Sequence, residues 1–211
     1  MSVESFKVVL VGESGVGKTS IITQFIDQTF QEDQQSTTGG TFSTKSVICD
    51  GGKVLKFEIW DTAGQERYRA LTKMFYKDAN AAIMVYDITR KESFEELKNY
   101  WSQQIRDSSP EGIILAIAAN KSDLIEQETV DEEEARNFGK ELGAIFTTTS
   151  AKNTMGINNL FEEIAKKYTG SSTITIKEEG DDAPEEEKKD VVKITQENNN
   201  ELKPKRKGGF C

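Results

Sequence analysis

The sequence has no histidine and only two cysteines in 211 residues. Cys49 lies inside an apolar stretch and Cys211 is the last residue, so a paired spacing for a disulfide framework is missing, and so is a ligand set for a zinc site. Positive charge is also short, with 27 Lys and Arg against 36 Asp and Glu and a net charge of -9. A general nucleic-acid binder needs a basic surplus to neutralise phosphates, so that class is excluded and any attraction to a membrane must be local. Long apolar runs are missing too. The longest, Ile113 to Ala119, has strand length and falls well short of the roughly 20 residues that span a bilayer. The opening MSVESFKVVLVG has too short an apolar run for a secretory signal and no basic leader. The expectation is a chain made and kept in the cytosol.

What is present suits one domain with a sizeable core, expected over 1–169. From Gly170 onward large apolar residues are few and charge runs are long, so 170–211 is expected to be a flexible tail. Within the domain, short β-branched runs alternate with segments of helical period. That alternation predicts an α/β fold with a mostly parallel sheet flanked by helices on both faces. Six strands are expected: Phe6 to Val11, Phe42 to Cys49, Val54 to Asp61, Ala81 to Asp87, Ile113 to Ala119 and Ala144 to Thr149. Asp50-Gly51-Gly52-Lys53 reads as a hairpin turn, which makes the second and third strands antiparallel. Helices are expected over Lys18 to Phe25, Ala70 to Tyr76, Ser93 to Arg106, Asp131 to Leu142 and Ile157 to Tyr168. Ser93 is a candidate N-cap with Glu96 in the capping-box position. Ile157, Leu160, Phe161, Ile164 and Ala165 fall on one helix face and should pack on the sheet.

The strongest chemical signal is Gly12-Glu13-Ser14-Gly15-Val16-Gly17-Lys18-Thr19, a G-x-x-x-x-G-K-[ST] match between an apolar strand and a helix. Glycines let successive backbone N–H groups turn toward phosphates, and the following helix adds its positive end. Lys18 supplies a point charge for the β- and γ-phosphates, and the Thr19 hydroxyl is placed for Mg²⁺. The chain is thus expected to be a P-loop nucleotide hydrolase. Its phosphate-binding residues are Ser14, Gly15, Val16, Gly17, Lys18, Thr19 and Ser20, with Gly64 from a later loop.

Base choice is expected from Asn120-Lys121-Ser122-Asp123, directly after a strand at the edge where open α/β sheets bind ligands. One carboxylate, Asp123, can accept from both N1–H and the 2-amino group of guanine. Adenine offers neither donor there and would leave the carboxylate unpaired. Taken alone these four residues could be an ordinary polar loop; the phosphate loop upstream gives them weight. A third segment, Trp60-Asp61-Thr62-Ala63-Gly64-Gln65-Glu66-Arg67-Tyr68, also follows a strand. Asp61 can hold Mg²⁺ through water, Gly64 can bring its N–H to the γ-phosphate, and Gln65 can orient an attacking water.

Three such motifs in this order make the chain resemble a small GTPase from about Phe6 to Tyr168. WDTAGQERY, the stretch Phe75 to Ala79, Tyr86 to Thr89 and the acidic tail ending in cysteine are similar to Rab proteins, within the Ras superfamily. The resemblance implies guanine contacts from Phe30, Asn120, Lys121, Asp123 and the Ser150-Ala151-Lys152 loop. It also implies Mg²⁺ ligation by Thr37 beside Thr19 and Asp61, with Thr38 as the alternative. The family's T-I-G-x-x-F reads Thr37-Thr38-Gly39-Gly40-Thr41-Phe42 here, and the missing isoleucine removes surface on which effectors pack.

The implied activity is GTP hydrolysis to GDP and phosphate, by in-line attack of water that Gln65 orients while Lys18, Mg²⁺ and loop N–H groups stabilise the developing charge. No arginine obviously reaches the γ-phosphate in cis, so a partner should accelerate the step. The alternatives are a GTP-binding recruitment module with little hydrolysis and an ATP-dependent enzyme on the same loop. The implied partners are a guanine-nucleotide exchange factor, a GTPase-activating protein, a GDP-dissociation inhibitor and effectors, acting on a monomer in vesicle trafficking. Lys203, Lys205, Arg206 and Lys207 precede Cys211, and a prenyl chain plus a basic patch is a two-signal membrane anchor. A single geranylgeranyl group on Cys211 is expected, at the cytoplasmic face of an endosomal or secretory membrane.

Overall fold

The computed structural model describes residues 3–34, 37, 40–62 and 75–176. Among them a seven-stranded sheet runs in the order β6-β5-β4-β1-β3-β2-β7. Its strands are β1 Val3–Val11, β2 Gly40–Cys49, β3 Val54–Thr62, β4 Ala81–Asp87, β5 Ile114–Asn120, β6 Ile145–Thr148 and β7 Ile174–Ile176. β2 pairs antiparallel with β3, and β7 antiparallel with β2; the other pairings are parallel. The helices are α1 Lys18–Asp27, α2 over 91–108, α3 Glu132–Glu141 and α4 Ile157–Thr169, with a 3-10 turn at Ser122–Gln127. Helix α2 carries a π segment, Leu97–Trp101, between α-helical ends Lys91–Glu96 and Ser102–Ser108.

The alternation of side chains along β1 divides the core in two. Phe6, Val8 and Leu10 join the cluster under α1 and α4, with Phe25, Leu160 and Phe161. Val9 and Val11 join the opposite cluster with Phe94, Trp101 and Ile105 of α2 and Ala135 of α3. Helices therefore cover both faces, as the alternating pattern predicts. Phe25 and Phe161 stack at 3.7 Å between ring centroids, locking α1 to α4. The apolar face read from Ile157, Leu160, Phe161, Ile164 and Ala165 is buried as expected. Helix α4 ends on Gly170, whose φ of 71° lets its N–H close back on Lys166 O at 2.9 Å.

The hairpin turn sits where Asp50-Gly51-Gly52 places it, with φ of 73° and 76° at the two glycines and Cys49 N donating to Lys53 O at 2.8 Å. Two readings need correction. The sheet has seven strands rather than six, because Ile174-Thr175-Ile176, inside the expected tail, pairs with Val47–Cys49 of β2. Asp50 holds the approach to that strand, accepting from Ser172 N (2.7 Å), Ser172 Oγ (2.9 Å) and Thr173 N (3.1 Å). Ser93 is not an N-cap: α2 begins two residues earlier, and the buried Ser93 hydroxyl donates to Arg90 O at 2.7 Å. Of the expected helix Ala70 to Tyr76, only Phe75 and Tyr76 fall among the described residues.

Because β1, β3, β4, β5 and β6 are parallel, their carboxyl ends share one edge of the sheet. Strand order reverses at β1, so the crevice expected in such a sheet opens beyond Val11 and Asp87, and Gly12 to Thr19, Asp61 and Asn120 to Asp123 follow or end strands on this edge.

Candidate nucleotide-binding site

The loop between β1 and α1 has a backbone that only particular glycines allow. Gly12 has φ 142°, and a Cβ there would lie 2.2 Å from Val85 O. Gly17 has φ 96°, and its Cβ would lie 2.3 Å from Asn120 Nδ2. The loop is pressed against β4 on one side and the end of β5 on the other. Asn120, buried, donates from Nδ2 to Val16 O at 2.8 Å and accepts from Thr149 Oγ1 at 3.2 Å. The side chain implied as a guanine contact is thus engaged in tying the end of β5 to the Gly12–Thr19 loop and to Thr149.

Lys18 folds back over the loop it follows, donating to Gly12 O (2.9 Å) and Glu13 O (2.8 Å). Burial pushes its ammonium down to about 8; Asp61 and Glu13 pull it back up, and Arg90 lowers it further. An anionic ligand would raise it again.

Next to it, three oxygens converge. Thr19 Oγ1 donates to Asp61 Oδ2 at 2.6 Å and lies 2.8 Å from Thr37 Oγ1, which is 3.3 Å from the same carboxylate oxygen. Asp61 Oδ1 is buried with no hydrogen-bond partner among the described residues. Burial raises the Asp61 pKa, offset by the Thr19 hydroxyl, Lys18 and Thr37. A carboxylate with one oxygen held by two hydroxyls and the other unpartnered is an all-oxygen donor set, which suits a hard divalent cation such as Mg²⁺ and not a soft one. Of the two threonines left open as a Mg²⁺ ligand, Thr37 is the one among the described residues and its hydroxyl is at this point.

The loops meet around one cavity of about 300 Å³, within the range of ligand sites. Ser14, Gly15, Gly17, Lys18, Thr19 and Ser20 of the first loop line it together with Thr37, Phe30, Asn120, Lys121, Asp123, Ala151 and Lys152. Buried Ser150 donates its hydroxyl to Asp123 Oδ1 at 2.5 Å, fixing the carboxylate from behind. Gln24, with its amide nitrogen turned toward two carbonyls, donates to Ala151 O (2.9 Å) and Thr29 O (3.2 Å), so α1 holds both the 150–152 loop and the approach to Phe30. Across the rim, Lys152 Nζ meets Glu32 Oε1 at 2.7 Å.

Gly64, Gln65, Thr38, Gly39, the basic cluster Lys203 to Lys207 and Cys211 lie outside the described residues. Sequence reasoning missed Asp87 and Arg90. Asp87 sits at the end of β4, buried, with Lys121 Nζ 2.7 Å from its Oδ2, and Arg90 Nη2 donates to Ser14 O at 3.0 Å. The one signal available was a carboxylate at a strand end followed three residues later by a cation.

Comparison with known proteins agrees with this geometry. The model of the Ras family matches residues 7–170. Ras-related protein Rab-22A of Homo sapiens is 46% identical over 167 residues, covering 79% of this chain and 85% of that protein. The Mus musculus and Canis lupus familiaris proteins of the same name match with the same identity and coverage.

Proposed function

This chain belongs to the Ras family as a Rab-type small GTPase, a switch that binds GTP and GDP and hydrolyses GTP in vesicle trafficking, and from that premise we propose how its residues divide the work. Membership decides for guanine over adenine nucleotides. The observation that carries the residue assignment is one cavity lined both by Asp123, whose carboxylate Ser150 braces, and by Lys18, Thr19 and Thr37, with Asp61 joined to it through the Thr19 hydroxyl.

Asp123 accepts from the guanine N1–H and 2-amino group, and Phe30, Lys121, Ala151 and Lys152 enclose the base, while Asn120 and Ser150 hold the reading loop in place. Gly15, Val16, Gly17, Lys18, Thr19 and Ser20 take the phosphates, with Ser14 leaving room beside them. Thr19, Thr37 and Asp61 would hold Mg²⁺, which supplies charge neutralisation at the phosphates when bound. Lys18 adds a cation that costs little to recruit, because its ammonium already lies buried in the loop. Gln65 orients the attacking water and Gly64 offers its N–H to the γ-phosphate, so hydrolysis rests on positioning and fixed dipoles.

Loss of the γ-phosphate would release the segments around Thr37 and Gly64, and effectors would read that change. An exchange factor, a GTPase-activating protein and a GDP-dissociation inhibitor would set its timing on a monomeric chain. Cys211 carrying one geranylgeranyl group, with Lys203, Lys205, Arg206 and Lys207, would hold the protein at the cytoplasmic face of an endosomal or secretory membrane. Phosphate release from GTP, with and without an activating protein, tests the assignment. Gln65→Leu should keep nucleotide and lose stimulated hydrolysis; a wild-type stimulated rate in that variant overturns its role.

A further inference from the structure

The carbonyls of the phosphate loop are held by several separate donors. Lys18 Nζ holds Gly12 O and Glu13 O, Asn120 Nδ2 holds Val16 O at 2.8 Å, and Ile21 N holds Gly17 O at 2.9 Å. Ser14 O is held from outside the loop and outside the cavity wall, by Arg90 Nη2 at 3.0 Å.

The geometry points to Arg90 as a positioning residue that fixes the Ser14–Gly15 peptide and so aims the Gly15 N–H into the phosphate pocket. In a trans peptide the C=O and N–H point opposite ways. A carbonyl drawn toward Arg90, which does not line the cavity, therefore turns the next N–H toward Gly15's own side, which does. Sterics do not hold that peptide: Gly15 has φ 77°, and a Cβ there would meet nothing within 4 Å. Gly12 and Gly17, by contrast, are pressed against Val85 and Asn120. Of the loop's glycines, Gly15 is the one free to turn over, and a directed charged hydrogen bond is what prevents it.

Arg90 is itself braced. Its backbone N–H donates to Asp87 O at 3.0 Å, its carbonyl accepts from Ser93 Oγ at 2.7 Å, and its Nε lies 3.6 Å from Asp87 Oδ2. Asp87 Oδ1 accepts from Thr89 N (2.9 Å) and Thr89 Oγ1 (2.7 Å), so the carboxylate cannot swing away. The same Oδ2 that faces Arg90 is 2.7 Å from Lys121 Nζ in the guanine-reading loop. One buried carboxylate thus orients a cation for the phosphate end and a cation for the base end.

This inference rests on the phosphate loop holding a nucleotide, and the test separates the two. In the full chain loaded with GDP and Mg²⁺, dissociation of a fluorescent GDP and the ¹H–¹⁵N resonance of Gly15 are followed in wild type, Arg90→Ala, Arg90→Lys and Asp87→Asn. Arg90→Ala should speed dissociation by about tenfold, the scale of one lost charged hydrogen bond. It should move the Gly15 resonance while leaving that of Asp123 in place, and Arg90→Lys should recover part of both. Asp87→Asn should disturb the Gly15 and Lys121 resonances together. Arg90 is partly exposed, with a side chain at 43%, so its loss should leave the fold intact. Wild-type dissociation and an unmoved Gly15 in Arg90→Ala overturn the inference alone; failure of the wild type to retain GDP overturns the nucleotide-binding reading beneath it.

Discussion

Asn120 Nδ2 and Val16 O meet at 2.8 Å across 104 positions of sequence. This bond joins the end of β5 to the loop that follows β1 through two buried residues, and ties the two sides of the cavity together. Asn120→Ala would strand Val16 O and the Thr149 hydroxyl away from water. The expected cost is about 1–3 kcal/mol of stability in urea unfolding, together with weaker GDP binding. An unchanged unfolding midpoint would show that water replaces the amide.

The stacked pair Phe25 and Phe161 is a second joint, between α1 and α4. Both rings are fully buried, and Phe57 adds edge contacts to each. Phe161→Ala should cost about 3–5 kcal/mol in chemical denaturation, from lost transfer energy plus the cavity left behind. A loss under about 1 kcal/mol would mean that α4 collapses into the gap.

The Asp50 carboxylate is held below its ordinary value of 3.8, first by the Ser172 backbone N–H, then by the Ser172 hydroxyl and by Thr173. Since the folded value is depressed, the stabilisation is fully present above the unfolded value and fades as pH falls through the folded one. Docking of β7 on β2 should therefore loosen below about pH 4, seen as faster amide exchange at Thr175 and Ile176 with the rest of the sheet intact. Asp50→Asn should show the same loosening near neutral pH. Equal exchange in variant and wild type at neutral pH would remove Asp50 from this role.

Glu32 and Lys152 face each other across the rim of the cavity and both are well exposed, so their effect should be small and screened. Lys152→Glu should speed GDP release by about twofold or more at low salt. The part of that change due to charge should vanish near 1 M salt, where the Debye length is about 3 Å. A change that persists unaltered at high salt would assign the role of Lys152 to packing on the base.

What the sequence disclosed, and what it did not, follows from the range of the interactions. The phosphate loop, the NKSD loop and the Asp61 strand end are each built from neighbouring residues, so spacing marked the first by itself and the other two by their order after it. The hairpin at Asp50 was legible for the same reason, as two glycines with positive φ leave a local mark. Arg90 and Asp87 stayed hidden because their partners, Ser14 and Lys121, are adjacent only in the fold. Ser93 misled because a capping residue and a serine buried against the preceding turn have the same local pattern, and its neighbours in space decided between them. β7 was missed because three residues, Ile-Thr-Ile, are too few to show a period inside a polar run. Its stability comes from Val47–Cys49 and from Asp50, well over a hundred residues earlier in the chain.

In the proposed function one acidic side chain, Asp123, chooses the purine while the phosphate loop holds the tail. Calorimetric titration of the nucleotide-free protein with GDP and with ADP, in Mg²⁺, for wild type and Asp123→Ala measures that choice directly. Wild type should bind GDP strongly and ADP hardly at all, and Asp123→Ala should lose most of the difference. Equal binding of GDP and ADP by the wild type, or undiminished preference for GDP in Asp123→Ala, would contradict it.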